Sequence, residues 1–220
     1  MTGNAIVTGG GSGVGRAAAL ALAEAGWNVI IAGRRREALD AVCAEGGDAL
    51  SAEICDVTDE DSVAALFAAT AARFGRIDLL FNNAGVGAQP APVADVSLDD
   101  WRKVLATNAT GAFLCAREAF RHMARQDPQG GRIINNGSLS AQMPRPYSTA
   151  YTVSKGAVIA LTKAIAVDHG ADSIRANCVA PGPVYTPMVY SRGMTEQARE
   201  TRRQASVLKR EGTGWDKPVA

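Results

Sequence analysis

Short β-branched and apolar runs alternate along this chain with longer stretches of helical period. Asn4–Thr8, Val29–Ala32, Leu50–Ile54, Ile77–Phe81, Arg132–Asn135 and Ile174–Val179 read as six strands. Helices are predicted over Val14–Ala25, Arg35–Ala44, Thr58 to about Arg73, Ser97 to about Met123, and Thr149–Val167. Gly26 stands where a helix C-cap glycine belongs. Thr58 with Asp61, and Ser97 with Asp100, have the spacing of a capping box. Strands that are apolar throughout, separated by helices, imply a parallel sheet covered on both faces. Right-handed crossovers then give a doubly wound α/β fold. No boundary divides residues 1–220, so a single domain is expected. After Pro181 the chain loses strand character and turns polar, with many Arg and Glu.

Composition narrows the classes. At 220 residues, 47% hydrophobic and 20% charged, the chain can bury a sizeable core. A net charge of +1 sets up no field for nucleic acid or an acidic membrane. The four cysteines (Cys43, Cys55, Cys115 and Cys178) have neither CxxC nor zinc spacing, and so read as reduced thiols. No metal site is expected. With no basic n-region followed by an apolar core, and no apolar run approaching a membrane span, a cytoplasmic protein is expected.

Thr8–Gly15 reads TGGGSGVG, directly between the first strand and the first helix. Glycines there allow left-handed backbone and close approach of a ligand, while a helix N-terminus offers free N–H groups to a pyrophosphate. The alternative is a plain strand–helix turn, but five glycines between Gly9 and Gly15 exceed what a turn needs. The segment lacks the GK[ST] ending of a P-loop, which disfavours nucleoside triphosphate hydrolysis.

Tyr151 and Lys155 stand at i and i+4 on a predicted helix and share a face. A tyrosine with a pKa of about 10 needs a large shift to exchange protons near neutrality. A neighbouring ammonium favours the phenolate. Ser138 follows the fifth strand, where open α/β sheets gather their sites. Taken alone, the Tyr/Lys pair reads more readily as a common helix-surface pair. Asn108 falls on the apolar stripe of Trp101, Val104, Leu105, Ala112, Cys115 and Ala119, and alone reads as a satisfied core amide.

Together these residues resemble the short-chain dehydrogenase/reductases. The loop fits that family's TGxxxGxG, with Thr8, Gly9, Gly13 and Gly15 in place and Gly11, Ser12 and Val14 between them. Asn82–Gly85 (NNAG), with Asn83, Ala84 and Gly85, matches the motif after the fourth strand. Asp56 and Val57 resemble the pair beside the adenine. Pro181, Gly182, Val184 and Thr186 resemble the segment that holds the nicotinamide carboxamide. Asn108, Ser138, Tyr151 and Lys155 match the family's tetrad in order and spacing. The resemblance runs to about Trp215.

It implies a Rossmann-type oxidoreductase moving a hydride between NADP(H) or NAD(H) and a small-molecule carbonyl/alcohol pair. In that scheme Tyr151 is general acid or base, Lys155 lowers its pKa and holds the ribose, Ser138 orients the substrate oxygen, and Asn108 anchors a water. The alternative is a catalytically silent nucleotide-binding protein on the same fold. The family ordinarily continues with another helix and a last strand. Here the sequence ends after Lys217–Ala220, so a sheet without those elements is expected, and a homodimer rather than a tetramer.

An acid after the second strand would accept the ribose hydroxyls of NAD. This chain has Gly33, then Arg34, Arg35 and Arg36. A guanidinium can pair with a 2′-phosphate, which favours NADP(H), although a basic first turn on a solvated helix is the plainer reading. The substrate pocket is expected from Ser140, Gln142, Met143 and Tyr147, with Arg145 meeting polar groups.

Overall fold

The computed structural model describes residues 2–191 and 193–214. Six strands, β1 (Asn4–Thr8), β2 (Asn28–Gly33), β3 (Leu50–Ile54), β4 (Leu79–Asn82), β5 (Gly131–Asn136) and β6 (Ile174–Val179), form one parallel sheet in the order β3-β2-β1-β4-β5-β6. Among the described residues the sheet ends at β6, and Trp215 lies outside them.

Helices α1 (Gly13–Glu24) and α2 (Arg36–Gly46) cover one face, and α3 (Glu60–Phe74), α5 (Gly111–Met123) and α6 (Thr149–His169) the other. The period of two sorts each strand between two cores. Ala5, Val7, Val29 and Ile31 pack with Leu20 and Leu39, while Ile6, Ile30, Leu80 and Ile133 pack with Phe67, Cys115 and Met123. The expectation of two covered faces fails at β6. Its Ile174 is buried, but Arg175, Asn177 and Val179 are exposed on the alternate positions.

Helix ends follow local chemistry. After α1, Gly26 takes φ +83, its N–H donates to Ala23 O, and Trp27 N–H donates to Leu22 O, so two otherwise orphaned carbonyls are bonded. The cap of α3 is Asp59, not Thr58: its carboxylate accepts from Asp61 N and Ser62 N at 2.9 and 3.1 Å. Thr58 belongs to the preceding turn, donating from N and Oγ1 to Asp56. Ser97 caps α4 (Leu98–Leu105) as expected. The single long helix expected there is interrupted by a π-turn over Ala106–Thr110, before α5. The polar segment after Pro181 forms α7 (Pro187–Tyr190) and α8 (Glu196–Gln204), which sequence periodicity did not disclose.

Helix α6 is long and apolar enough by composition to cross a bilayer, with mean hydropathy 1.3 in an 18-residue window within Thr149–Asp172, contrary to the sequence expectation. It packs on β5 and β6 and carries Tyr151 and Lys155 into the region beyond the strand ends.

Candidate active site

The strand order reverses between β1 and β4, and the C-terminal ends of β1, β4 and β5 border the crevice this creates. Thr8 at the end of β1 is fully buried. Its Oγ1 accepts from Asn83 N at 2.9 Å and Ala84 N at 3.0 Å, tying the two strand ends together. Asn83 Nδ2 donates back to Thr8 O at 2.9 Å, and its Oδ1 accepts from Asn136 Nδ2 at 2.8 Å. Three neighbouring strands are thus laced at one edge. Beneath them Asn82 Nδ2 donates to Ala112 O and Asn135 Oδ1, and Asn135 Nδ2 to Thr162 Oγ1 of α6.

The glycine loop meets the first test of a phosphate cradle. Gly13 has φ +56, which a side-chain-bearing residue rarely adopts. A Cβ on Gly15 would overlap Gly9 O and Asn83 Nδ2, so α1 starts against the strand ends only because that atom is absent. Ser12, the N-cap of α1, makes no side-chain cap bond, and no acid occupies the first turn. By contrast, α3, α4 and α8 are capped by Asp59, Ser97 and Thr195. Helices α2 and α6 also start without a side-chain cap, so it is the adjoining glycine loop, together with the first N–H groups of α1, that suits an anion.

Two cavities share Gly9, Ala84 and Gly85 and so make one groove. The smaller, about 200 Å³, is lined by Gly11, Gly33, Arg34, Arg35, Asp56 and Val57. The larger, about 470 Å³, is bordered at the loop by Ser12, Gly13 and Val14 and on the far side by Pro181, Gly182, Val184 and Thr186. Ser138, Tyr151 and Lys155 open into it. The groove thus fits an extended dinucleotide, with glycine backbone at its middle. Thr8 and Gly15 line neither cavity and act as supports.

Within the tetrad, Lys155 is 5% exposed and its Nζ donates to Asn136 O at 2.6 Å. Burial pushes it down to about 8. Burial also pushes the Tyr151 phenol up, while a hydrogen bond with Ser138 and the Arg145 charge pull partly the other way. The expected depression of Tyr151 by Lys155 is not seen: the ammonium, 5.9 Å from the ring centroid, is not among the groups that lower the phenol, and burial outweighs those that do. Ser138 Oγ accepts from Ser140 N at 3.1 Å.

Asn108 sits in the π-turn, 1% exposed. Its Oδ1 accepts from Val86 N at 2.8 Å, and its Nδ2 donates to Val86 O and Ser154 Oγ, both at 3.0 Å. These bonds pin the segment after β4 to α6; none of them reaches Lys155. Ser140, Met143 and Tyr147 line the larger cavity, but Gln142 does not: it is an exposed residue at the end of a one-turn helix. Tyr147 is left-handed, with φ +62. Sequence reasoning missed Asn136, whose Oδ1 is buried without a donor among the described residues, and Arg202. A position at the C-terminal end of β5 could have flagged the first.

A doubly wound sheet, an uncapped helix behind a glycine loop, and a Ser–Tyr–Lys set beside the groove define a dinucleotide-dependent oxidoreductase. Residues 3–197 match the short chain dehydrogenase family. The chain is 40% identical over 184 residues to 2,5-dichloro-2,5-cyclohexadiene-1,4-diol dehydrogenase of Sphingobium indicum, covering 84% of this chain and 73% of that protein. It is 40% identical over 200 residues to cis-4-hydroxycyclohexanecarboxylate dehydrogenase of Sinomonas cyclohexanicum, covering 90% and 78%. The crystal structure of 3-ketoacyl-(acyl-carrier-protein) reductase from Brucella melitensis complexed with NADH superposes with a TM-score of 0.91 at 30% identity, covering 97% and 86%. The chain belongs to the short-chain dehydrogenase/reductase family, and is an oxidoreductase that transfers a hydride between a nicotinamide cofactor and a carbonyl or alcohol substrate.

Proposed function

We propose that the chain interconverts a cyclic secondary alcohol and its ketone with NADP(H), using Tyr151 as the proton donor or acceptor. The observation that carries this reading is that Ser138, Tyr151 and Lys155 line one cavity of the groove together. The nicotinamide, when bound, supplies or accepts the hydride. The rest is this chain's work. The Ser138 hydroxyl and the Tyr151 phenol together hold the substrate oxygen, and the phenol gives it a proton in reduction. Burial keeps that phenol protonated across neutral pH, so the acid form is available for reduction. Oxidation needs the phenolate and should accelerate as pH rises. Lys155, fixed on Asn136 O, supplies positive charge beside the phenol.

The ring preference draws on the two relatives that act on six-membered alicyclic alcohols, and on the apolar Met143, Tyr147, Met188 and Val189 along the cleft. The cofactor preference draws on Gly33, Arg34 and Arg35 around the smaller cavity. Arg34 stays largely exposed, 3.7 Å from Asp56, and so can meet a 2′-phosphate. Replacing Arg34 and Arg35 with Ala should weaken NADPH binding about ten-fold or more and spare NADH; equal losses measured by titration calorimetry would refute it. The protein is further inferred to be a homodimer, because Phe113 of α5 and Val153 and Val167 of α6 leave apolar surface exposed.

A further inference from the structure

The larger cavity has a one-sided charge. Its lining includes Lys155, Arg145 and Arg202 and, among the described residues, no Asp or Glu. Lys155 belongs to the tetrad, but the other two are not explained by hydride transfer.

Arg145 lies in the loop between Ser138 and Tyr151. None of the described acids forms an ion pair with it, and it lines the same cleft as Arg202. Arg202, on α8, holds Glu211 Oε1 through Nε at 3.1 Å. That carboxylate is already shared: Glu211 Oε2 is 3.1 Å from Arg199 Nε. One buried carboxylate between two guanidiniums leaves a surplus positive charge, and Arg145 adds a second.

Like charges lining one cleft are unfavourable unless an anion joins them. A guanidinium fork is shaped for a carboxylate or phosphate oxygen pair. The pyrophosphate already has donors at the α1 N-terminus, whereas Arg145 and Arg202 line the cleft into which Tyr151 opens. The anion therefore belongs on the substrate.

We propose that Arg145 and Arg202 form an anion subsite in the substrate cleft, and that the physiological substrate is a carbonyl or alcohol bearing a carboxylate. This deepens the hydride-transfer reading and rests on it. The test compares 4-oxocyclohexanecarboxylate with its methyl ester as substrates, in wild type, Arg145→Gln and Arg145→Lys. Wild type should favour the acid over the ester in kcat/KM. That ratio should fall about ten-fold or more in Arg145→Gln and recover in part in Arg145→Lys, while the dissociation constant of NADPH stays put. An unaltered ratio, or a wild-type preference for the ester, overturns the subsite while leaving the oxidoreductase reading standing. A weakened NADPH affinity instead reassigns the arginines to the cofactor. Should neither ketone turn over, calorimetric binding of cyclohexanecarboxylate to the NADPH complex decides: binding lost in Arg145→Gln supports the subsite, and no binding in wild type refutes it.

Discussion

Replacing Asn108 with Ala removes three hydrogen bonds at one buried point: two with the main chain of Val86 and one with Ser154 Oγ. Orphaning a buried polar group costs about 1–3 kcal/mol. Val86 is only partly buried, so its two groups belong at the low end, about 1 kcal/mol each. Ser154 Oγ keeps its 2.7 Å bond to Tyr151 O and loses only a donor, adding well under about 1 kcal/mol. The expected loss is about 2–3 kcal/mol, seen as a lower urea midpoint at constant slope. Ser154→Ala should cost about 1 kcal/mol, and the double variant less than the sum, because both act through the bond they share. Cofactor affinity should fall in Asn108→Ala, because the Val86 segment continues from Gly85 in the groove. A loss under about 1 kcal/mol, or strict additivity, would refute a positioning role for Asn108.

Two other perturbations follow from the same geometry. Lys155→Met should abolish turnover yet stabilise the cofactor-free protein near neutral pH. Lys155 falls from 10.5 to about 8 on folding, so the unfolded chain binds the extra proton; this cost is fully present below pH 8 and disappears above 10.5. The drop corresponds to about 3 kcal/mol, offset by about 1 kcal/mol for the lost bond to Asn136. Wild-type stability should accordingly rise between those pH values relative to the Met variant, and denaturant titrations at two pH values check it. Gly15→Ala should push α1 from the strand ends, costing about 1–3 kcal/mol and weakening cofactor binding, read by melting temperature and titration calorimetry.

Much of this was legible in the chain itself. Strands Asn4–Thr8, Leu50–Ile54 and Ile174–Val179 have the bounds that the sequence predicts; burial and β-branching agree along the first, whereas the other two are buried only at their first residue. The tetrad and the glycine loop were legible because their chemistry demands particular residue types at particular spacings. What stayed hidden has physical causes. Three cap-competent residues crowd the turn before α3, and tertiary geometry chose Asp59. The π-turn holds Asn108, whose partners Val86 and Ser154 are distant in sequence, so no local period reports it. Helix α8 has no apolar face; two of its arginines bind Glu211, a contact no local pattern encodes. Gln142 and Arg202 exchanged roles for the same reason: which loop side chains reach a cleft depends on neighbours distant in sequence.

The claim at the centre is that Tyr151 Oη carries the proton that accompanies the hydride. The direct test is Tyr151→Phe, assayed by loss of the nicotinamide absorbance with a panel of cyclic ketones and by NADPH titration of the same preparation. The account predicts that wild type reduces at least one ketone, that the variant falls by about two to four orders of magnitude in kcat, and that its NADPH affinity is nearly unaltered because the ring still packs. A Phe variant retaining more than about a tenth of the wild-type rate would contradict it.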